Sequence, residues 1–504
     1  MNLVNLSDER LEKMGDIPAY VFEGKEYSSY RLNEMGRRLA SGLRSLGIEK
    51  GDHIVVCMPN SPEVFACFGA IWRIGAVIVP IMFLLGENET RYILDHSDAK
   101  AVITSKDHLE KIGNARKGIA HVKHVVVLDG KDEGEQVDFH ALVAQHPPQR
   151  HTEEMRKDDV ALMIYTSGTT GQPKGVMLSH NNLYQNAMAT WQASEASKPD
   201  RTILCLPLAH SFGIVVMTAG SCSTFKDSYG VLMRWFDPEE VFRLIQKHRA
   251  TQFIGVPTMY QILLNHPAAD KYDTSSLERC SISAAPVTEE LYRAFTAKFN
   301  CRMYEGYGLT EAAPTVAVER RSMARKIGST GVPIPGVEVK IFDHEDKELP
   351  TGEQGEIVVR GPSVMLGYYK RPDETAETLR GGWLHTGDVG YLDEDGYLFI
   401  TDRIKDMIIK GGYNIYPSEI EGCLEEHPSV GEVAVIGIPD EKYGEEIMAF
   451  VVKMPGRQLS EDAVIEFVKT RMTPYKAPSL VKFVDGLPKS LVGKVLKREL
   501  RKFV

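Results

Sequence analysis

The chain has 504 residues, 43% hydrophobic and 25% charged, a composition that excludes a disordered, collagen-like or disulfide-framed protein. At roughly 150 residues per domain this is about three domains' worth of chain, one large composite domain being an allowed variant. The net charge of −10 argues against general nucleic-acid binding, which needs a basic face.

Met1 to Arg10 reaches Asp8, Glu9 and Arg10 before any apolar core, so it does not read as a signal peptide. The longest apolar stretch, Ala70 to Leu85, contains Arg73 and Pro80 and suits a buried strand better than a membrane span. No integral membrane segment is expected, and cytoplasmic residence follows. The seven cysteines show no Cys-x-x-Cys spacing and sit mostly in apolar runs, as buried reduced thiols do.

Tyr30 to Leu46 repeats apolar residues at helical spacing and ends at Gly47. His53–Met58 then reads as a strand, Glu63–Ile74 as a helix and Ala76–Val79 as a strand. This alternation predicts a parallel, doubly wound α/β sheet. Lys131 to Lys157 is polar and strand-poor, which predicts a surface excursion. The pattern restarts with the strand Val160–Tyr165, a Gly/Thr loop and a helix from about Asn181. Further strands are expected at Thr202–Leu206, Gln252–Val256 and Ser281–Ala284. After Gly328 the short runs Val337–Phe342, Gly355–Val359 and Tyr397–Ile400 predict a small antiparallel β-barrel or sheet. Beyond Arg403 the expectation is a helix opened by a capping box, Ser418 to Glu421, and closed at His427-Pro428. A strand at Glu432–Ile438 and a helix near Ala463–Arg471 follow.

The richest stretch is Tyr165-Thr-Ser-Gly-Thr-Thr-Gly-Gln-Pro-Lys-Gly175. Gly168, Gly171 and Gly175 let backbone N–H groups approach an anion; Thr166, Ser167, Thr169 and Thr170 add hydroxyl donors, and Lys174 adds charge. A P-loop would need Ser or Thr after its Gly-Lys pair, whereas Pro173 precedes and Gly175 follows Lys174.

This loop resembles the signature of the adenylate-forming (AMP-binding) superfamily, which includes acyl-CoA synthetases, luciferases and adenylation domains. Pro207-Leu-Ala-His210, Tyr307-Gly-Leu-Thr-Glu311, Thr386-Gly-Asp388, Asp402-Arg403 with Lys405-Asp406, and Gly493-Lys494 occur in that family's order, over residues 165–494. The resemblance implies an N-terminal AMP-binding domain, 1–403, of two doubly wound αβ subdomains plus a small β-barrel. A smaller mobile α+β cap, 404–504, would turn about a hinge near Lys405. It further implies that ATP, Mg²⁺ and coenzyme A are used.

Forming an acyl adenylate brings a carboxylate against the α-phosphate, so a cation must stand between them. Lys494, after the permissive Gly493, is the candidate. By resemblance Glu311 holds Mg²⁺ with Thr170, Thr310 touches the α-phosphate, and Tyr307 lies against adenine. Ala284, Glu305, Gly306 and Gly308 join that nucleotide site. Asp388 would accept from both ribose hydroxyls, with Arg403 and Ile400 nearby. After rotation, Lys410, Gly411, Gly412 and Tyr413 would receive the pantetheine arm and Lys476 the nucleotide end of CoA.

His210 is expected at the gate of the acyl pocket, with Phe212, Gly213, Val256 and Ala285 in its wall and Met259 and Tyr260 as further apolar candidates. Phe212 to Met217 carries no acid to pair with a substrate ammonium, so an apolar acid fits better than an amino acid. A fatty acid leads, with aryl or alicyclic acids as alternatives. An enzyme loading a carrier protein, a luciferase-like oxidase and a nucleotide-binding regulator are the rivals. A homodimer stays open.

Overall fold

The computed structural model describes residues 2–130, 136–166, 172–411, 413–489 and 495–504. The chain divides into two compact units: residues 1–327 with 331–338 and 359–384, and residues 328–330 with 339–358 and 385–504.

The first unit carries two large sheets. In one, six parallel strands run in the order Arg302–Gly308, Arg279–Ile282, Gln252–Gly255, Arg201–Leu204, Tyr229–Leu232 and Pro18–Phe22. Short antiparallel strands flank them at both edges. The other is parallel from Val160–Thr166 through Val77–Pro80, His53–Cys57, Ala99–Ser105 and His124–Leu128 to Gln136–Asp138. Both faces of these strands are covered, which is why Ile54 to Cys57 can be an unbroken buried run. The Ser29–Ser45 helix starts where the Ser28 hydroxyl accepts from the Arg31 N–H.

The second unit holds the four-stranded sheet formed chiefly by Glu338–Phe342, Gly355–Arg360, Leu384–Leu392 and Leu398–Arg403. A further sheet contains the long hairpin Val430–Asp440 and Gly444–Lys453. It packs the Pro417–Glu425 and Glu461–Lys469 helices over a core of Ile408, Ile420, Leu424, Val435, Ile447 and Val464. Among the described residues no helix is long and apolar enough to cross a membrane. Five of the seven cysteines are buried, and all are free.

Three sequence expectations change. The Gly/Thr loop does not lead directly to a helix: it joins Val160–Thr166 to an antiparallel partner, Lys174–Ser179, and the helix starts at His180. The strip read as a surface excursion contains the edge strand Gln136–Asp138 and a helix, Phe139–Gln145, whose Phe139 and Leu142 are buried. Ser418 is no cap: it lies inside the Pro417–Glu425 helix, its N–H donating to Asp402 at 2.9 Å. Glu421, the expected box partner, instead accepts from the Val435 N–H at 2.7 Å and pairs with Lys497 at 2.7 Å.

Candidate active site

A cavity of about 300 Å³ runs along the six parallel strands of the first unit, from their amino ends at Asp200 and Arg279 to their carboxyl edge at Ser283 and Gly306. Parallel α/β sheets bind ligands at this edge, where strands hand over to loops. Ser283, Ala284, Gly306, Tyr307 and Gly308 line its rim, and Phe212, Val215, Leu204 and Ile254 line its apolar part.

His210 caps the Ser211–Ser221 helix and also lines the cavity. Its Nδ1 accepts the Phe212 N–H at 3.3 Å, which leaves the proton of the neutral ring on Nε2. Burial lowers the pKa of this imidazole and favours the neutral form. The same helix begins with Ser211, whose hydroxyl accepts from the Thr310 hydroxyl at 3.2 Å. The acid side and the phosphate side of the expected site are thus joined by one hydrogen bond.

Glu311 follows in a short 3₁₀ turn, Thr310–Ala312. Its Oε1 accepts the Tyr368 hydroxyl at 3.0 Å. Lys174 lies 5.0 Å from the centre of the Tyr368 ring and forms an ion pair with Glu374. Thr166 faces Lys174 across the hairpin. This arrangement brings the ends of the phosphate loop to the carboxylate expected to hold metal. Ser167, Gly168, Thr169, Thr170 and Gly171 lie outside the described residues, as do Gly412 and Lys494.

Gly308 has a strict steric reason: a Cβ there would stand 2.1 Å from the Pro314 carbonyl oxygen. Ala284 holds φ +77°, a left-handed conformation that costs an alanine roughly 1–2 kcal/mol and a glycine almost nothing. Glu305 lines the cavity, but Arg325 holds its carboxylate at 3.0 Å, and its N–H and C=O bond to Glu319. It supports the strand rather than presenting a free ligand. Burial, and then the neighbouring Glu319 charge, push its carboxyl up to about 7.

Three acyl-wall expectations are corrected. Gly213 packs on the Pro207 carbonyl, where a Cβ would approach to 2.2 Å, and does not line the cavity. Val256, buried at the start of the Pro257–Asn265 helix, also stands outside the lining. Ala284, not Ala285, faces the cavity. Tyr260 is a core residue, donating to the carbonyls of Phe253 at 3.1 Å and Ser281 at 2.8 Å, and Met259 packs beside Cys205.

In the second unit, Asp388 is buried and its Oδ1 accepts from Arg403 Nε at 2.8 Å. Ile400 lies on the strand that ends in Arg403 and pairs with Gly390. Lys405 sits in the Ile404–Asp406 turn, its amine pKa lowered by burial and then by the Arg403 charge. Lys410 pairs with Glu446, and the Gly411 N–H donates to the Tyr443 carbonyl at 2.8 Å. Tyr413 is 59% exposed and stacks on Tyr475 at 4.8 Å. Lys476 pairs with Glu419.

The sequence reading missed Tyr368 and Glu374, which lie almost 200 residues from the loop they meet. It also missed Thr202, Gln252, Ser281 and Arg279, polar side chains on strands that are otherwise apolar. Gln252 at the head of Phe-Ile-Gly-Val was the legible signal, because a buried amide on a core strand needs partners.

This fold and rim define an adenylate-forming enzyme. The chain belongs to the AMP-binding enzyme family, in its acyl-CoA synthetase branch: the family model matches residues 7–369 and the model for the family's C-terminal domain matches 419–494. A feruloyl-CoA synthase from Amycolatopsis sp is 39% identical over 94% of this chain and 92% of its own. The long-chain-fatty-acid–CoA ligase of Bacillus subtilis (strain 168) is 34% identical over 99% of this chain and 94% of its own. The crystal structure of ATP-bound MatB from Rhodopseudomonas palustris aligns with a TM-score of 0.92 at 31% identity, covering 100% of this chain and 99% of that one.

Proposed function

We propose that the chain is a cytoplasmic, ATP-dependent acid–CoA ligase whose acid enters the cavity past His210. In the first step a carboxylate oxygen of the acid attacks the α-phosphorus of ATP. The bond to the bridging oxygen breaks, and pyrophosphate leaves with its electrons. In the second step the sulfur of CoA attacks the acyl carbonyl, the mixed anhydride opens, AMP leaves and the thiol proton is released.

The observation that carries this reading is the Thr310–Ser211 hydrogen bond. It fixes the turn bearing Glu311 against the helix that His210 caps, so phosphate chemistry and an acid pocket share one frame. Neutral His210 leaves the carboxylate free to react instead of holding it in an ion pair. Lys174, poised on Tyr368 beside Glu374, supplies charge for the phosphates. An exposed lysine would be a poorer phosphate ligand, because ordering its long side chain costs entropy.

Oxygen donors suit a hard cation, and the Glu311 carboxylate, oriented by the Tyr368 hydroxyl, fits Mg²⁺. Bound there, the ion would offset phosphate charge. Asp388, oriented by Arg403, suits the ribose hydroxyls. The reading assigns Lys494 to the adenylation step and the Lys405 turn to the exchange between steps. The domain boundary at 403/404 is likewise part of this proposal. Free, mostly buried thiols accord with a reducing compartment.

The acid is apolar along most of its length, as Phe212, Val215, Leu204 and Ile254 require. A fatty acid leads and an aryl acid is the alternative, both chemistries being named among the relatives. AMP release with free CoA, screened over straight-chain, alicyclic and aromatic acids, tests the reading. Turnover confined to a carrier protein, or no acid-dependent pyrophosphate exchange, overturns it.

A further inference from the structure

One helix that carries none of the sequence motifs touches both stems of the phosphate loop. Glu87–His96 begins where the Glu89 carboxylate accepts the Gly86 N–H at 3.1 Å. Tyr92 and His96 stand four residues apart on it, and so on one face. Their rings stack at 5.2 Å with planes 23° apart. His96 Nδ1 lies 2.8 Å from the hydroxyl of Tyr165, on the strand that enters the loop. Where the chain leaves the loop, the Tyr92 hydroxyl donates to the Pro173 carbonyl at 3.1 Å.

Proline makes that hydrogen bond directional. Its ring fixes φ and the peptide to Lys174 is planar, so a held carbonyl also sets the direction in which Lys174 starts. The lysine side chain then passes the Tyr368 ring to pair with Glu374. Glu374 also pairs with Arg371 at 3.4 Å, and the Arg371 guanidinium meets the Tyr92 hydroxyl. Tyr92, Arg371, Glu374 and Lys174 thus form a ring of polar contacts, closed by the Pro173–Lys174 peptide. On the far side of Lys174, the Tyr369 N–H donates to the Gly175 carbonyl at 2.8 Å. All of these groups belong to the first unit. A stem without such a hold would leave the ammonium many positions, and ordering it on a phosphate would cost entropy.

We propose that Tyr92 is a positioning residue for ATP: by holding the Pro173 carbonyl it aims Lys174 at the nucleotide's phosphates. It acts through Lys174 and touches no reacting atom. This deepens the acid–CoA ligase reading and rests on it. That reading gives the α-phosphate to Lys494 during adenylation, which leaves Lys174 for the pyrophosphate end of ATP. AMP has no such end, so the Tyr92 hydroxyl matters for ATP and not for AMP.

The test measures equilibrium binding of ATP with Mg²⁺, and of AMP, by calorimetry without acid or CoA. The full chain is used as wild type, Tyr92→Phe, Lys174→Ala and the double variant. Tyr92→Phe keeps the stacked ring and removes one hydroxyl, so the fold stays intact. It is expected to weaken ATP binding by roughly threefold to tenfold and to leave AMP binding as it was. In turnover assays KM for ATP rises by the same factor, while kcat and KM for the acid stay at wild-type values. Once Lys174→Ala is present, Tyr92→Phe has no further effect, because the two residues act as one unit. Unchanged ATP affinity, equal weakening of ATP and AMP, or losses that multiply in the double variant would overturn the proposal. Turnover with an unaltered KM for ATP in Tyr92→Phe defeats this proposal and leaves the ligase reading standing. Selective loss of ATP affinity in Tyr92→Phe, in a chain that releases no AMP from any acid, does the reverse.

Discussion

The cavity of the first unit and the C-terminal lobe of the second hold their charges differently. The cavity carries two buried pairs, Asp200 with Arg279 and Glu305 with Arg325, each anchored to a strand of one sheet. In the lobe the pairs are graded: Lys410 and Glu446 are 14% and 15% exposed and Lys497 and Glu421 18% each, whereas Lys476 and Glu419 are 20% and 33% exposed and Lys489 and Glu432 34% and 43%. Removing one member of a buried pair leaves an uncompensated charge costing about 3–5 kcal/mol, whereas an exposed pair contributes about 0–1 kcal/mol. The buried pairs resist loss of a partner, and the more exposed pairs of the lobe can be broken at small cost.

The strongest way to break this comparison is Lys494→Ala. A charge that serves only one step should lower acyl-adenylate formation by roughly 10²–10³-fold, read as pyrophosphate exchange. Thioester formation from supplied acyl adenylate should stay near the wild-type rate. Equal losses in both assays would show a cation needed throughout, and the contrast between fixed and exchangeable charge would fall.

The fixed side is probed by Glu305→Gln. The wild-type carboxyl titrates at about 7 in the folded chain, against an ordinary value of 4.5. The folded state therefore holds its proton more tightly than the unfolded state. Stability is full below about pH 4.5 and falls as pH rises to about 7, by an amount on the order of 3 kcal/mol. Glutamine cannot ionise, so urea unfolding at about pH 5 and about pH 8 should show a smaller loss for the variant than for the wild type. Parallel losses would remove Glu305 as the source.

Gly213→Ala asks how rigid that side is. Its Cβ would meet the Pro207 carbonyl at 2.2 Å, backbone against backbone, with no flexible side chain to yield. Overpacking of this kind costs about 1–3 kcal/mol, and it displaces the helix that carries His210 and Ser211. A lowered unfolding midpoint together with a raised KM for the acid is expected. An unchanged midpoint would mean that the helix start gives way easily.

The motif residues were legible because their chemistry is concentrated in short runs, as from Tyr165 to Gly175 and from Tyr307 to Glu311. The sheets were legible from alternating apolar segments. The hairpin partner Lys174–Ser179 was not, because a Gly-rich loop after a strand reads equally as the entry to a helix. Ser418 fits a capping pattern, but packing against Thr401 and Asp402 places it inside the helix. The cavity floor was hidden for a different reason. Thr202, Gln252, Arg279 and Asp200 meet only through parallel register, which no local pattern reveals.

The smallest effect belongs to the exchangeable side. Tyr413 and Tyr475 stack at 4.8 Å with their planes 22° apart, and both rings are exposed. Such a pair is worth about 0.5–1.5 kcal/mol beyond its buried area, so Tyr413→Ala should leave overall stability little changed. If this surface receives the CoA arm, losing the ring removes an apolar platform. KM for CoA should then rise by roughly threefold to tenfold while pyrophosphate exchange is untouched. Tyr413→Phe keeps the ring and should restore most of the loss. Were both variants equally impaired, the hydroxyl rather than the stacked face would be the contact. The lobe would then bind through fixed polar groups.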